Sequence, residues 1–337
     1  MSTNSLNVAL AMPASTARTV FPPTSLDPLE RSLNLLSHDP IEDFHSPEGR
    51  AVLVEADVLI TGWGCPMIDD AVLDAAPRLR YVLHAAGTVK HHIGDACWER
   101  GIQISSAADA NAIPVAEYTV AMIVLANKKV LQIAQALHST RTAVPAEQLF
   151  PDMGNYRKRV GIIGASKIGR HVIRLLAGYE LEVVVADPYL SASEASALGV
   201  GLLSLDELVA SSDVVSLHAP SLPSTKNLID AGLIERMRPG ATFINTSRGE
   251  LVDQEALLAR VEKGDLYAIL DVTTPWVLPA ESRFYSHPNV LLTPHVAGSL
   301  GTELERMAAS AVQEALRLSR GVPLAYQLKA EDLAITA

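Results

Sequence analysis

The chain has 337 residues, 48% apolar and 19% charged, enough to bury full cores in about two domains. Its 27 basic and 38 acidic residues leave a formal charge of −11, which argues against nucleic acid and anionic membranes as partners. Cys65 and Cys97 offer neither a disulfide framework nor metal-ligand spacing and read as small buried hydrophobes. No basic start leads into an apolar leader, and no apolar run reaches the roughly 18 residues of a membrane span, so a cytoplasmic protein is expected.

In chain order, residues 7–12 read as a strand. A loop at Glu55-Ala56-Asp57 leads into a second strand at 58–61. A helix over 69–76, a strand over 79–84 with its turn at Ala85-Ala86-Gly87, and a short strand at 102–105 complete a small α/β domain. Residues 114–130 form a long apolar helix on Val115, Tyr118, Thr119, Met122, Ile123 and Leu125, suited to carry the chain into the next domain. The polar stretch 139–156, with Pro145 and Pro151, reads as a surface loop.

The run Val160-Gly161-Ile162-Ile163 reads as a buried parallel strand. It breaks at Gly164 and feeds a helix with apolar positions Ile168, Val172, Leu175 and Leu176. Strand, glycine turn and helix in that order make a phosphate site, because the first N–H groups of the helix are unpaired and its dipole is positive there. Gly164-Ala165-Ser166-Lys167-Ile168-Gly169 fits the dinucleotide fingerprint G-x-G-x-x-G except that Ser166 replaces the middle glycine. Its hydroxyl can donate to a phosphate oxygen. A second apolar run, 181–186, ends in Asp187, where a ribose-binding carboxylate is expected. A carboxylate there accepts from the ribose hydroxyls and repels a 2′-phosphate, so NAD is the expected cofactor. An ordinary strand–helix turn is the competing reading, and the pairing of this turn with Asp187 weighs against it.

Apolar runs and helical patterns then alternate at 205–211, 214–218, 228–237, 242–245, 254–263, 267–272 and 290–293, which predicts a doubly wound parallel sheet. Residues 303–319 make a final helix, and the tail is expected to return to the first domain. Ligands of such sheets lie beyond the carboxyl ends of the strands. Three polar segments stand there: Asn245-Thr246-Ser247-Arg248-Gly249, Asp271-Val272-Thr273-Thr274-Pro275-Trp276 and Thr293-Pro294-His295-Val296-Ala297-Gly298.

Together with His218-Ala219-Pro220 and Arg238-Pro239-Gly240, these segments resemble the ordered motifs of the D-isomer-specific 2-hydroxyacid dehydrogenases over nearly the whole chain. The resemblance implies two Rossmann-like or flavodoxin-like α/β domains. The NAD-binding domain, residues 114–302, is inserted into a substrate domain made of 1–113 and 303–337. It also implies a homodimer paired through the cofactor domain, and a small 2-oxoacid or D-2-hydroxyacid as substrate.

Reducing a 2-oxoacid needs a cation for the carboxylate and a proton donor for the developing alkoxide. Arg248 suits the first role as a bidentate fork, unless it is a structural ion pair. His295 suits the second as a group that titrates near neutrality, unless it is a plain loop histidine. By resemblance, His218, Thr246 and Asp271 line the cofactor cleft with Gly164, Ser166, Lys167, Ile168 and Asp187, and backbone groups of Ala86, Gly87 and Thr88 meet the substrate carboxylate. Lys90 reads either as a second cation toward substrate or as a solvated lysine. His91 and His92, adjacent on one element, would point apart, and no metal is expected.

One departure stands out. The family carries a glutamate five residues after the aspartate of its L-D-V strand end, hydrogen-bonded to the catalytic histidine. Here that position is Trp276. Either Glu281, Glu303 or Glu305 supports His295 instead, or no carboxylate does, and the imidazolium needed for reduction is then scarce at neutral pH. Trp276 itself reads as a wall that selects substrates or as loop packing. A second reading of the whole chain follows, an NAD(H)-binding sensor or scaffold with little turnover.

Overall fold

In the computed structural model, which describes residues 5–334, the chain divides into two units. The first holds the described residues up to Asn111 and those from Ser299 onward, and the second is Ala112–Gly298. In the first unit the strands are β1 (Asn7–Ala11), β2 (Asn34–Leu35), β3 (Val58–Thr61), β4 (Tyr81–His84) and β5 (Gln103–Ser106), all parallel. Successive side chains on a strand point to opposite faces. Val8, Leu10, Val58, Ile60 and Leu83 therefore pack with Ala308, Val312 and Ala315 of the helix Leu304–Ser319. Ala9, Leu59, Val82 and Ile104 fill the other face with Val72, Leu73 and Cys97. Both cysteines are buried, and burial pushes the thiols of Cys65 and Cys97 up to about 12 and about 11.

Two helices of this unit, Ala14–Val20 and Asp27–Ser32, lie in a stretch whose sequence has no clear helical periodicity. They are short, and burial of Ala17, Val20 and Leu29 makes up for weak local preference.

The tail returns to this unit as expected. Strand β13 (Gln327–Leu328) pairs antiparallel with β5, and the buried Glu314 carboxylate accepts from the N–H groups of Ala325 and Tyr326.

The second unit's strands are β6 (Arg159–Ile163), β7 (Glu182–Ala186), β8 (Gly201–Leu202), β9 (Val214–Leu217), β10 (Thr242–Asn245), β11 (Tyr267–Leu270) and β12 (Val290–Leu292). Their order is β12-β11-β10-β9-β6-β7-β8, all parallel. Both faces are covered, Val160, Ile162, Val185, Val214, Ile244 and Ile269 on one and Ile163, Val215, Leu217, Phe243 and Leu270 on the other. A strand buried on both sides must be apolar throughout, which is why these runs do not alternate. The chain leaves β6 toward one edge and returns to β9 at its other side, so the order reverses between the turns that follow β6 and β9.

Four sequence expectations need correction. The long helix spans Ala108–Asn127 with Pro114 inside it, starting well before that proline. Its 20 residues also reach the length and apolarity of a membrane span, contrary to the expectation that no stretch does. It nevertheless packs Ala116, Val120, Ile123 and Ala126 into the core of the second unit. The expected loop 139–156 holds a short helix, Ala146–Leu149, and a further helix, Val130–Thr140, runs up to its start, bracketed by Lys129 and Arg141 in left-handed backbone. Leu175, placed on the apolar stripe of the helix Lys167–Leu176, is largely exposed.

Candidate active site

The glycine turn after β6 is built as a phosphate cradle. Gly164 has φ +92°, and a Cβ there would lie 2.8 Å from the Ala219 nitrogen. A Cβ on Gly169 would lie 2.1 Å from the Gly164 carbonyl oxygen, so both glycines are steric requirements. Ser166 caps the helix, its Oγ accepting from the Gly169 N–H at 3.3 Å, which leaves its own proton free to donate. Among the described residues nothing accepts from the N–H groups of Ser166 and Ile168, the orphan donors that a pyrophosphate fits. Lys167 is exposed on the first turn of that helix. The Asp187 carboxylate accepts from Ala165 N–H at 2.7 Å and Tyr189 N–H at 2.8 Å, tying the end of β7 to the glycine turn.

His218 follows β9 with its backbone against Gly164. Burial pushes this histidine down to about 3, so it is neutral; its Nε2 lies 2.9 Å from Ser216 Oγ, and the buried Nδ1 has no partner. That orphaned nitrogen at the strand end suits a bound ligand. The Thr246 hydroxyl is 3.1 Å from that of Thr119 and anchors the end of β10 to the long helix.

The ends of β10, β11 and β12 converge on Arg248 and His295. Asn245 side-chain N–H bonds the Arg248 carbonyl, and its oxygen receives Ser247 N–H, which shapes the loop. The Arg248 guanidinium is half-buried and donates to Ser247 O at 2.7 Å, but no carboxylate pairs with it among the described residues. Burial lowers its pKa, against the pull of Glu250.

Asp271, 1% exposed, accepts from Thr293 Oγ1 at 2.6 Å, Val296 N–H at 2.8 Å and Ala297 N–H at 2.9 Å. Its carbonyl takes His295 N–H at 2.9 Å, and His295 holds φ +56°. Asp271 therefore pins the histidine's loop. Thr293 bonds Tyr118 OH as well, so Tyr118, Thr293 and Thr119 support the site without standing out in the sequence. Tyr118 and Thr119 read there only as helix stripe, and Thr293 only as a motif letter.

The ring of Trp276 lies 4.6 Å from that of His295, centroid to centroid. Glu281, which lies in the same unit, is exposed, and among the described residues the buried His295 Nδ1 has no hydrogen-bond partner. Burial is the main cause of a lowered His295 pKa, with Arg248 pushing the same way and Asp271 opposing.

In the first unit the turn after β4 leaves the N–H groups of Ala86, Gly87 and Thr88 without an acceptor among the described residues. Lys90, half-buried, donates its main-chain N–H to Thr88 Oγ1 at 3.4 Å.

Removing Asp187 takes away the carboxylate expected to accept from the ribose and the charge expected to disfavour a 2′-phosphate. Asp187→Ala is expected to weaken NADH by about tenfold in a fluorescence titration and to narrow its margin over NADPH; an unchanged margin refutes this role.

Residues 120–297 match the family model described as D-isomer specific 2-hydroxyacid dehydrogenase, NAD binding domain. The chain is 33% identical over 272 residues to a D-3-phosphoglycerate dehydrogenase of Mycobacterium leprae, covering 80% of this chain and 50% of that protein. It thus spans about half the length of such relatives. A solved structure of a protein from Thermus thermophilus aligns with a TM-score of 0.72 at 28% identity, covering 96% of this chain and 100% of that one. A phosphoglycerate oxidoreductase from Rhizobium etli shares the fold with a TM-score of 0.82 at 22% identity, covering 98% and 99%. The chain belongs to the D-isomer-specific 2-hydroxyacid dehydrogenase family and carries that family's NAD-binding domain.

Proposed function

We propose that this protein is an NAD-dependent oxidoreductase that interconverts a small 2-oxoacid and its D-2-hydroxyacid. The observation that carries the reading is Arg248, a half-buried guanidinium with no carboxylate partner among the described residues, electrostatically coupled to His295. A buried cation without a counter-ion is costly, and a substrate carboxylate relieves that cost with two parallel hydrogen bonds. Bound NADH supplies a hydride to C2 of the oxoacid, and NAD⁺ receives it in the reverse direction. His295 gives a proton to the C2 oxygen as that oxygen gains charge, and takes it back during oxidation. In the first unit, the open amides of the Ala86–Gly87–Thr88 turn are themselves suited to an anion.

The direction of the reaction follows from His295. Reduction uses imidazolium and oxidation uses neutral imidazole. Burial and Arg248 lower this histidine's pKa, so the neutral form dominates at pH 7, and oxidation starts with its base in the right state. The same observation favours the second reading, an NAD(H)-binding protein with little reductive turnover, because Trp276 stacks on the ring where a carboxylate would stabilise its charge.

A homodimer is part of the proposal. The helix Val130–Thr140 buries none of its residues, and Leu137, Leu149 and Tyr156 are exposed along this segment, an apolar surface that a second copy would cover. Sedimentation is expected to give a dimer that Leu137→Glu dissociates; a wild-type monomer refutes it.

His295→Ala is expected to lower kcat by about 10²–10⁴ while NADH still binds, and a loss much smaller than that assigns the proton to another group. For reduction of glyoxylate, hydroxypyruvate or pyruvate, kcat/KM should rise as pH falls below about 6.5. Trp276→Glu places a carboxylate beside the ring and should move that midpoint upward. A wild-type midpoint already above neutrality, unmoved by Trp276→Glu, rules out this account of His295.

A further inference from the structure

Behind the Ala86–Thr88 turn lies a group of polar side chains that the proposed reaction does not use. Thr61 ends β3 and His84 ends β4, while His92 closes the segment after the turn, and all three side chains are buried. Thr61 Oγ1 lies 2.9 Å from His84 Nδ1 and 3.3 Å from His92 Nε2, and the two imidazole rings are 4.3 Å apart. Burial and mutual repulsion lower the pKa of His84 well below its ordinary value, and burial with the neighbouring His91 takes His92 down to about 4. Both rings are therefore neutral, each with one N–H and one lone pair.

Proton counting fixes the direction of the bonds. Thr61 has a single hydroxyl proton, so it donates to one ring and accepts from the other. The main chain of Thr88 hydrogen-bonds His84 in the sense that favours the protonated ring, so His84 spends its N–H on a carbonyl and keeps Nδ1 as an acceptor. Thr61 then donates to His84 Nδ1, and the His92 Nε2–H donates to Thr61. The chain runs one way, from His92 through Thr61 and His84 to Thr88, and every polar atom it uses is paired. The backbone follows the same path: Ala85 N–H bonds Thr61 O, and Ala107 N–H bridges the carbonyls of His84 and Ala86.

We propose that Thr61, His84 and His92 are positioning residues whose one-way hydrogen-bond chain holds the open amides of Ala86, Gly87 and Thr88 in the arrangement that receives a substrate carboxylate. With the carbonyls of Ala86 and Thr88 drawn inward, the N–H groups between them are left for an anion. This rests on the dehydrogenase reading for the identity of the anion, and the geometry stands by itself.

The test uses oxalate, an unreactive dianion shaped like a small 2-oxoacid, titrated by calorimetry into the NADH-saturated protein. Thr61→Val keeps the shape of threonine and removes the hydroxyl, and His92→Leu removes the donor. Each should weaken oxalate about tenfold with NADH affinity unchanged. Thr61→Ser and His92→Gln keep a hydroxyl and an N–H at the required places and should bind oxalate as the wild type does. Oxalate binding unchanged by Thr61→Val, or lost equally in Thr61→Ser, overturns the proposal, as does a wild-type protein that binds no oxalate. Imidazole ¹⁵N spectra of the wild type give a second check that needs no variant to fold. Both rings should be Nε2–H tautomers at pH 7, and a His84 protonated at Nδ1 overturns the chain. NADH oxidation with 2-oxoacids is scored separately, so oxalate binding with the expected variant pattern but no turnover counts against the dehydrogenase reading alone.

Discussion

The second unit's site depends on one buried carboxylate. Asp271 sits at the end of β11 with almost no access to water, and a charge in that position must be fully bonded or it destabilises the fold. Thr293 Oγ1 and the N–H groups of Val296 and Ala297 meet that need, and all three belong to the segment that carries His295. The aspartate's demand for donors therefore bends the chain after β12 into the shape that presents the histidine. Left-handed backbone at a non-glycine residue costs roughly 1–2 kcal/mol, and here the surrounding bonds hold His295 in it. Tyr118 extends the network through Thr293 to the long helix, so the loop is braced from both sides.

The electrostatics at His295 follow from what is beside it. Arg248 is a cation, Trp276 is an uncharged aromatic ring, and the carboxylate of Asp271 is already spent on the loop. A histidine so placed is a better base than acid at neutral pH. Under the proposed dehydrogenase reading, an indole in place of a carboxylate at this position favours the direction of hydride transfer that starts from neutral imidazole. The first unit solves a related problem differently. There, three buried polar side chains avoid charge altogether and satisfy one another through a hydroxyl that can donate and accept at once.

Much of the fold is legible in local sequence. The central strands of the larger sheet are short, mainly apolar runs, because a strand covered on both faces has little polar side to show. The phosphate cradle is visible because its glycines answer local steric demands at Gly164 and Gly169. Arg248 and His295 stand out because they follow strands in a sheet whose ligands lie at that end. The helix Val130–Thr140 is not legible in the same way, since none of its residues is buried and no core-facing stripe sets it apart from a polar loop.

By itself, then, the sequence determined the main strands of both sheets, the position of the dinucleotide turn and, through the family resemblance, the loss of a carboxylate at Trp276. Only the tertiary structure decided which groups satisfy one another. Tyr118 meets Thr293 across 175 residues, Thr119 meets Thr246 across 127, and Asp271 meets Thr293 across 22. Whether His92 has a partner is a question of the same kind. Periodicity and turn chemistry act over a few residues, whereas a buried hydrogen bond is chosen by whichever strand ends the packed sheet brings together.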